Sequence, residues 1–179
     1  MSSVDIERMD RWPDSDLAAL RDLSAAVYPP GEAESWPGRA IYWATPEWGV
    51  KVTDDGDDLV CYAGLLIRDA SHDGRPVRIG GVGGVKTHPL HRRAGHAAAA
   101  MREARRFFAE VGAVDFGLLV CDDSLIPYYR RLGWEVFDGD MLTEQPAGTV
   151  KFTFNRVMVL PVAGPAPHRG VIDLKGPPW

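Results

Sequence analysis

The stretch VGGVKTHPLHRRAGHA, residues 82–97, decides the fold because it joins a strand to a helix. Gly83 and Gly84 belong to a strand-like segment, residues 76–87, where glycine is typical of a bulge or a close backbone approach. From Gly95 the apolar spacing becomes helical. The apolar stripe of this helix consists of Ala97, Met101, Ala104, Phe108 and Val111. The sequence therefore predicts a strand, a tight turn and an amphipathic helix.

Arg92, Gly95 and Ala97 have the spacing of an anion site at the start of that helix. The first helical turn has backbone N–H groups without internal partners, and the helix dipole places partial positive charge there. Gly95 and Ala97 leave room for a diphosphate, and Arg92 or Arg93 adds positive charge. The alternative is an ordinary helix start after a turn.

The segments on either side of this stretch alternate between strand and helix patterns. In chain order they are strand 4–9, helix 14–27, a short helix or substrate loop within 31–46, strands 48–52, 59–67 and 76–87, helix 95–111, strand 114–121, helix 125–132, and strands 134–137 and 150–160. Residues 68–75 are expected to form a polar turn, and Gly112 to cap its helix. We predict one domain over residues 1–179, with an irregular tail at 161–179. Its fold class is α/β (α+β mixed sheet), with about six to seven strands flanked by about four helices.

Composition excludes several classes of protein. A hydrophobic content of 45% and a charged content of 25% are ordinary for a soluble globular protein. The N-terminus lacks a signal-peptide pattern and the apolar stretches are too short to span a bilayer, so we expect a cytoplasmic protein without a membrane partner. Cys61 and Cys121 have no disulfide or metal-site spacing, which predicts reduced thiols and no metal.

Charge is unevenly distributed along the chain. Residues 1–58 carry 13 Asp and Glu against 5 Lys and Arg, whereas residues 59–179 carry 12 against 15. An acidic first part suits a cationic acceptor and a mildly basic second part suits an anionic cofactor, although a solvated surface explains the pattern equally. The net charge of −5 argues against a nucleic-acid partner, which needs a basic patch.

The order strand, Arg-x-x-Gly-x-Ala, helix, strand, and a helix ending in Tyr129-Arg-Arg-Leu-Gly133-Trp resembles the GNAT superfamily of N-acetyltransferases over about residues 48–137. This resemblance implies a GNAT-like fold that binds acetyl-CoA and acetylates an amine. It implies that backbone N–H groups hold the CoA pyrophosphate, and that main-chain groups of the preceding strand contact the acetyl carbonyl and pantetheine arm. The implied pyrophosphate residues are Arg92, Arg93, Ala94, Gly95, His96 and Ala97, and the strand residues are Val85, Lys86 and Thr87. Tyr129 would protonate the leaving thiolate.

A narrower resemblance is to the aminoglycoside 2'-N-acetyltransferases, through the strand at 156–161, Asp173 and the final Trp179. It implies that Asp173 and the carboxylate of Trp179 hold a polycationic drug, with Glu32 or Glu34 contributing. Those enzymes carry a glutamate where Gly83 aligns, so this chain departs from their pattern.

The general base and the acceptor stay open at this stage. His88 is our candidate base because histidine titrates near neutral pH, with His91, Glu47 and a water chain as alternatives. A small-molecule amine is the expected partner, in a pocket walled by Trp36, Trp43 and Trp179. The alternatives are a protein or peptide acceptor and a non-catalytic acyl-CoA sensing domain, which would not need Tyr129. The resemblance leaves a homodimer open.

Overall fold

The structure, a computed structural model, describes residues 3–111 and 114–179, which form a ten-stranded mixed sheet with four α-helices. The strands are β1 Ser3–Arg8, β2 Trp48–Thr53, β3 Leu59–His72, β4 Arg75–Thr87, β5 Phe116–Cys121, β6 Glu135–Val136, β7 Asp140–Gln145, β8 Gly148–Lys151, β9 Arg156–Pro161 and β10 Val171–Asp173. The helices are α1 Asp14–Val27, α2 Glu32–Ser35, α3 His96–Glu110 and α4 Ile126–Arg131. None of the described helices is both long and apolar enough to cross a membrane.

The sheet is organised around the long hairpin of β3 and β4. The strand order is β6-β9-β5-β4-β3-β10-β7-β8, and β2 pairs with the first half of β3 and carries β1 outside it. Most neighbours are antiparallel, whereas β4 runs parallel to β5 and β10 parallel to β7. The α/β mixed-sheet class predicted from the sequence is therefore confirmed.

The helices cover opposite faces of this hairpin because side chains alternate along a strand. Cys61 and Ala63 of β3 pack in one core cluster with Phe108 of α3. Tyr62, which lies between them in the chain, packs in another cluster with Leu23 of α1. The face that carries Tyr62 is called the α1 face below.

Several predicted boundaries were wrong. The structure has ten strands rather than six or seven, because short polar strands such as β7 and β8 lack the apolar runs on which the count depended. The expected polar turn at 68–75 is mostly strand, since only the residues around Asp73 and Gly74 turn the chain, both at positive φ. The predicted strand at 150–160 is split between β8 and β9.

The tail also differs from its prediction. Residues 161–179 were expected to be irregular, but they contain β10, which pairs with both β3 and β7. Leu174 and Trp179 of this tail are buried. The predicted cap at Gly112 lies outside the described residues.

Candidate functional site

A wedge opens between β4 and β5. The two strands pair only where Ile79, Gly80 and Gly81 face residues 116–118, and neither strand ends there. Beyond this point β4 continues to Thr87 against β3, and β5 continues to Cys121 against β9. The two inner edges are therefore unpaired with each other, which leaves backbone groups and space for a ligand in the centre of the sheet.

A bulge in β4 faces this wedge. Tyr62 pairs with Lys86 and Gly64 pairs with Gly83, so β4 has one residue more than β3 in this interval. The extra residue is accommodated at Gly84, whose φ of +60° is the left-handed conformation that glycine tolerates. Val85, next in the chain, consequently has no ladder partner on either side among the described strands. The sequence prediction of a bulge in this glycine-bearing strand is confirmed.

The loop before α3 presents a row of backbone N–H groups. Within the described part of the chain, no N–H of residues 92–98 donates a hydrogen bond, and the first bond of the helix runs from Ala99 N–H to the oxygen of Gly95. Arg93 and Gly95 have positive φ values of 66° and 84°. Unpaired N–H groups at the start of a helix, where the helix dipole is positive, suit an anion. Arg92 and Arg93 are exposed beside it.

Tyr129 of α4 is buried near the end of β5. Helix α4 ends at Arg131, the chain turns away at Gly133, whose φ is +88°, and Trp134 N–H bonds back to the oxygen of Tyr129 at 3.1 Å. This helix-ending motif explains the Tyr-x-x-x-Gly-Trp spacing in physical terms. Burial raises the pKa of Tyr129, as do the neighbouring Cys121 and Tyr28. Its hydroxyl has no hydrogen-bond partner among the described residues, and it stays protonated at neutral pH.

The neighbouring Tyr128 is arranged differently. Its hydroxyl is fully buried and has no partner in the described structure, while its ring lies 5.1 Å from that of Tyr129 and packs against the α3-side core. Burial also raises the pKa of Tyr128. The two hydroxyls therefore offer a matched pair, one of them predicted to act in chemistry and the other expected only to pack.

The three histidines of the decisive stretch form a group. The ring of His91 lies 5.5 Å from His88 and 6.3 Å from His96. His88 Nδ1 accepts the N–H of Leu90 at 3.3 Å, which assigns the hydrogen of a neutral ring to Nε2. His88 would therefore give up this bond to accept a proton. Among the described residues, no group of His, Cys, Asp and Glu is arranged to hold a metal ion.

On the α1 face, Trp179 lies against the glycines of β4. A Cβ on Gly81 would come within 2.3 Å of the Trp179 indole, and one on Gly83 within 2.8 Å of its main-chain carbon. The indole N–H donates to the oxygen of Leu118 at 3.0 Å, and the Arg68 guanidinium lies 5.0 Å from the ring centroid. Bulkier residues at 81 and 83 are therefore excluded by the tail.

The other predicted acceptor residues are dispersed. Asp173 pairs in register with Ser71, well along β3 from Gly64, and its carboxylate accepts the N–H of Lys175 at 2.9 Å. Glu32 and Glu34 are exposed on α2 and form no ion pair within the described residues. The structure thus brings Trp179 to the glycines of β4, but places Asp173 at another part of the sheet.

Trp36 belongs to an aromatic group near the tail. It is 45% exposed and stacks on Trp43, with ring centroids 5.8 Å apart. Trp43 packs against the same core cluster as Trp179, and Ala44 N–H donates to the oxygen of Pro178. Trp43 thereby joins the exposed Trp36 to the tail that carries Trp179.

One feature was missed in the sequence. Lys86 was predicted for its main chain alone, but its side chain lies on the α1 face, where Nζ donates to Ser24 Oγ at 3.0 Å. The same ammonium is 5.5 Å from the ring of Tyr62 and 5.7 Å from that of Tyr28. A lysine directly after the apolar and glycine-rich segment 79–85 of β4 was the available signal.

Comparisons with known proteins agree on one family. The family model described as "Acetyltransferase (GNAT) domain" matches residues 10–137. No curated protein matches the sequence. The fold is similar to that of the GNAT family N-acetyltransferase YhbS of Escherichia coli, solved with CoA, at a TM-score of 0.64 and 15% identity, covering 97% of this chain and 89% of that one.

Two further solved structures share the fold. An acyl-CoA N-acyltransferase of Pseudomonas aeruginosa gives a TM-score of 0.61 and 18% identity over 89% of this chain and 99% of that one. A GNAT family acetyltransferase of Brucella melitensis, solved with acetyl-CoA, gives 0.57 and 15% over 95% and 94%. The shared fold extends over nearly the whole length of each.

Proposed function

Because the chain belongs to the GNAT acetyltransferase family, we propose that it is an acetyl-CoA-dependent N-acetyltransferase acting on the amine of a small acceptor that is cationic in solution. The observation that carries this proposal is the combination of a wedge between β4 and β5 with the unpaired N–H groups of residues 92–98 at its open end. An elongated ligand with a diphosphate at one end fits this arrangement. One domain, a cytoplasmic location and a homodimer stay predictions.

The residues present fit acetyl-CoA. The N–H groups of residues 92–98, with Arg92 and Arg93, would hold the diphosphate, and the free edge of β4 from Val85 to Thr87 would bind the amide groups of the pantetheine arm. Bound acetyl-CoA supplies the acetyl group as a thioester. Apart from the two arginine side chains, these contacts use backbone groups that have no partner among the described residues.

The chemistry assigned to this chain is polarisation of a carbonyl and delivery of a proton. We assign to Val85 N–H, which has no ladder partner at the bulge, the role of donating to the acetyl oxygen, where negative charge develops. The Tyr129 hydroxyl, whose raised pKa keeps it protonated, delivers its proton to the departing sulfur. His88 remains the proposed base, at the cost of its bond to Leu90 N–H, with a water chain as the alternative.

The acceptor is proposed to bind on the α1 face. Trp179 at the glycines of β4 favours the aminoglycoside-type arrangement, whereas the distant position of Asp173 does not. A polycationic acceptor is therefore kept as the second candidate.

The test measures CoA thiol release from acetyl-CoA with a panel of amines, comparing wild type, Tyr129→Phe and Tyr128→Phe. The panel contains amino acids, their amides, polyamines, aminoglycosides and short peptides. We expect Tyr129→Phe to lower kcat by about 10²-fold while acetyl-CoA still raises the melting temperature. Tyr128→Phe, which removes a buried hydroxyl without a partner, should keep near-wild-type turnover.

Two results would contradict the proposal. Equal turnover of wild type and Tyr129→Phe would remove this tyrosine from the mechanism. Failure of acetyl-CoA to bind wild type would reject the enzyme and the acyl-CoA sensing domain together. Binding of acetyl-CoA without turnover of any amine would instead support the sensing domain.

A further inference from the structure

Lys86 is a half-buried cation without an anionic partner. Its Nζ donates one hydrogen bond, to Ser24 Oγ, and forms no salt bridge within the described residues. An ammonium has three donors, so two remain for water or a ligand. The Ser24 hydroxyl donates its single hydrogen to the oxygen of Leu20 at 2.7 Å, so toward Lys86 it acts only as a neutral acceptor.

The groups around Lys86 come from α1 and β3, and none of them is acidic. Tyr28 and Tyr62 present their rings to the ammonium, and Ser24 presents a neutral oxygen. Burial lowers the pKa of Lys86, and no neighbouring charge counters this effect. Desolvation of this cation therefore costs free energy that no counter-ion among the described residues offsets. A site that binds an anionic ligand is expected to have this property.

An open floor lies next to this cation. On the α1 face, Gly83 and Gly84 separate Lys86 from Trp179, and we call this gap the glycine recess. Gly84 is exposed, and a Cβ on it would meet only Tyr62, at 3.8 Å. The recess thus has the Lys86 ammonium at one end and, over Gly83, the main-chain carbon and oxygen of Trp179 at the other.

The recess is also close to the proposed chemistry. Lys86 directly follows Val85, whose N–H is assigned to the acetyl oxygen, and successive strand residues are about 3.3 Å apart. Tyr28, beside the Lys86 ammonium, is also among the groups that raise the pKa of Tyr129. An anion bound to Lys86 and an amine at the acetyl group are therefore close enough to belong to one small molecule.

We propose that Lys86 binds a carboxylate carried by the acceptor close to its amine, so that the preferred acceptors are amino-acid-like zwitterions. This inference rests on the proposed N-acetyltransferase function, and it replaces the cationic acceptor proposed there with one whose ammonium is balanced by a carboxylate. A charge-assisted hydrogen bond from Lys86 would fix the acceptor at its anionic end. The amine at the other end would then be held within the glycine recess, facing the carbonyl that Val85 polarises.

The experiment compares amino acids with their primary amides, which keep the amine and lack the carboxylate. Acetyl-CoA is the donor, thiol release gives kcat and KM, and thermal shift reports binding. We expect wild type to prefer the carboxylate member at least about 10-fold, corrected for amine pKa. Lys86→Met should lower kcat/KM for that member by about 10- to 100-fold, mainly through KM, and leave the amides within about 2-fold.

Two matched variants control for structure and charge. Lys51→Met removes the other lysine paired with Tyr62 and should keep the preference, because Lys51 is bound to protein carboxylates. Lys86→Arg keeps the charge and should retain part of the preference. If Lys86→Met fails to fold, the Lys86→Arg variant and wild type still decide whether a carboxylate is selected.

Several outcomes would overturn the inference. Wild type that prefers amides or polyamines, or Lys86→Met with an unchanged ratio, excludes Lys86 as the anchor. A raised KM for acetyl-CoA in Lys86→Met, with the ratio unchanged, would mean that Lys86 contacts the donor phosphates instead. If acetyl-CoA binds but no amino acid is acetylated or raises the melting temperature, this inference fails and the proposed function stands. If acetyl-CoA does not bind, the proposed function fails first.

Discussion

Lys51 and Lys86 lie in one row of the sheet, on either side of Tyr62, and have opposite surroundings. Lys51 bonds to Asp16 at 2.5 Å and to Glu7 at 3.3 Å, with its ammonium over the ring of Trp12. Lys86 has aromatic rings and one serine hydroxyl. On the same face, the lysine of β2 is therefore neutralised by protein carboxylates, whereas the lysine of β4 has no carboxylate partner among the described residues.

Helix α1 produces this difference. β2 and β4 are two strand spacings apart, about 10 Å, and the eight residues from Asp16 to Ser24 advance about 12 Å along a helix. One end of α1 therefore supplies a carboxylate to Lys51 and the other supplies a hydroxyl to Lys86. A carboxylate on α1 in place of the Ser24 hydroxyl would have given Lys86 a counter-ion within the protein. We therefore include α1 in the proposed acceptor site.

Removing the shared ring should have the largest effect. Tyr62 is 3% exposed and its ring contacts Trp12 edge-on at 5.9 Å, so Tyr62→Ala should lower the free energy of unfolding by roughly 3–5 kcal/mol. Urea denaturation measures this change. Tyr62→Phe is the control and should cost little, since the hydroxyl bonds only to the sulfur of Met9 at 3.7 Å. A large loss in that variant would show that the hydroxyl, rather than the ring, organises the row.

Replacing each lysine should separate the two sites. Lys51→Met should lower the free energy of unfolding by about 1 kcal/mol at pH 7, since it leaves two carboxylates without their cation. Lys86→Met should be neutral or stabilising, because it removes a desolvated charge. Paired urea titrations at pH 7 compare them. Equal losses in both variants would contradict the distinction drawn here.

The pH dependence of these variants follows from opposite pKa shifts. Burial alone would lower the pKa of Lys51, but the bonds from Asp16 and Glu7 outweigh it and raise the value above 10.5. Lys51 therefore stabilises the fold below pH 10.5, and this contribution is lost as pH rises through the folded pKa. Lys86, whose pKa is lowered, gains stability for the fold as pH rises toward 10.5. The stability advantage of wild type over Lys51→Met should shrink above that pH. Wild type should instead gain stability relative to Lys86→Met as pH rises toward 10.5.

The smallest effect is expected at Ser24. Ser24→Ala removes the one hydrogen-bond acceptor that the described residues offer the Lys86 ammonium, which should lower the Lys86 pKa further. The free energy of unfolding should change by less than about 0.5 kcal/mol, since alanine is the better helix former. NMR titration of the lysine side chains measures the pKa directly. A raised Lys86 pKa in this variant would reveal an anionic neighbour that the hydroxyl had screened.

The sequence predicted the fold where local patterns and packing agree. The stripe of α3 through Met101, Ala104 and Phe108 and the glycines of β4 were confirmed. Val111, the last predicted member of the stripe, was wrong, because it follows the end of the helix and is 47% exposed. Strand β10 could not be predicted, because it gains its place from pairing with the distant strands β3 and β7. The hairpin of β7 and β8 is local, but it is polar and lacks the apolar pattern that would have revealed it. The split at 152–155 is likewise invisible in an alternating apolar sequence.

The candidate site divides in the same way. The N–H row before α3 follows from local spacing, so the sequence was sufficient to propose it. The environment of Lys86 depends on α1 and β3, which are distant in the chain, so its missing counter-ion appears only after folding. Asp173 shows the converse, because its position after β9 gave no indication that its carboxylate would bond to its own turn.

The close fit of Trp179 to Gly81 and Gly83 has a consequence for divergence among relatives. A side chain at position 81 or 83 and an indole at position 179 cannot occupy the same volume, so a mutation at one position becomes tolerable only after a change at the other. A sequence that has changed at only one of the paired positions has either a steric clash or an empty space, so it is less stable than either end point. We expect these positions to change together, and lineages that differ there to have inherited different acceptors.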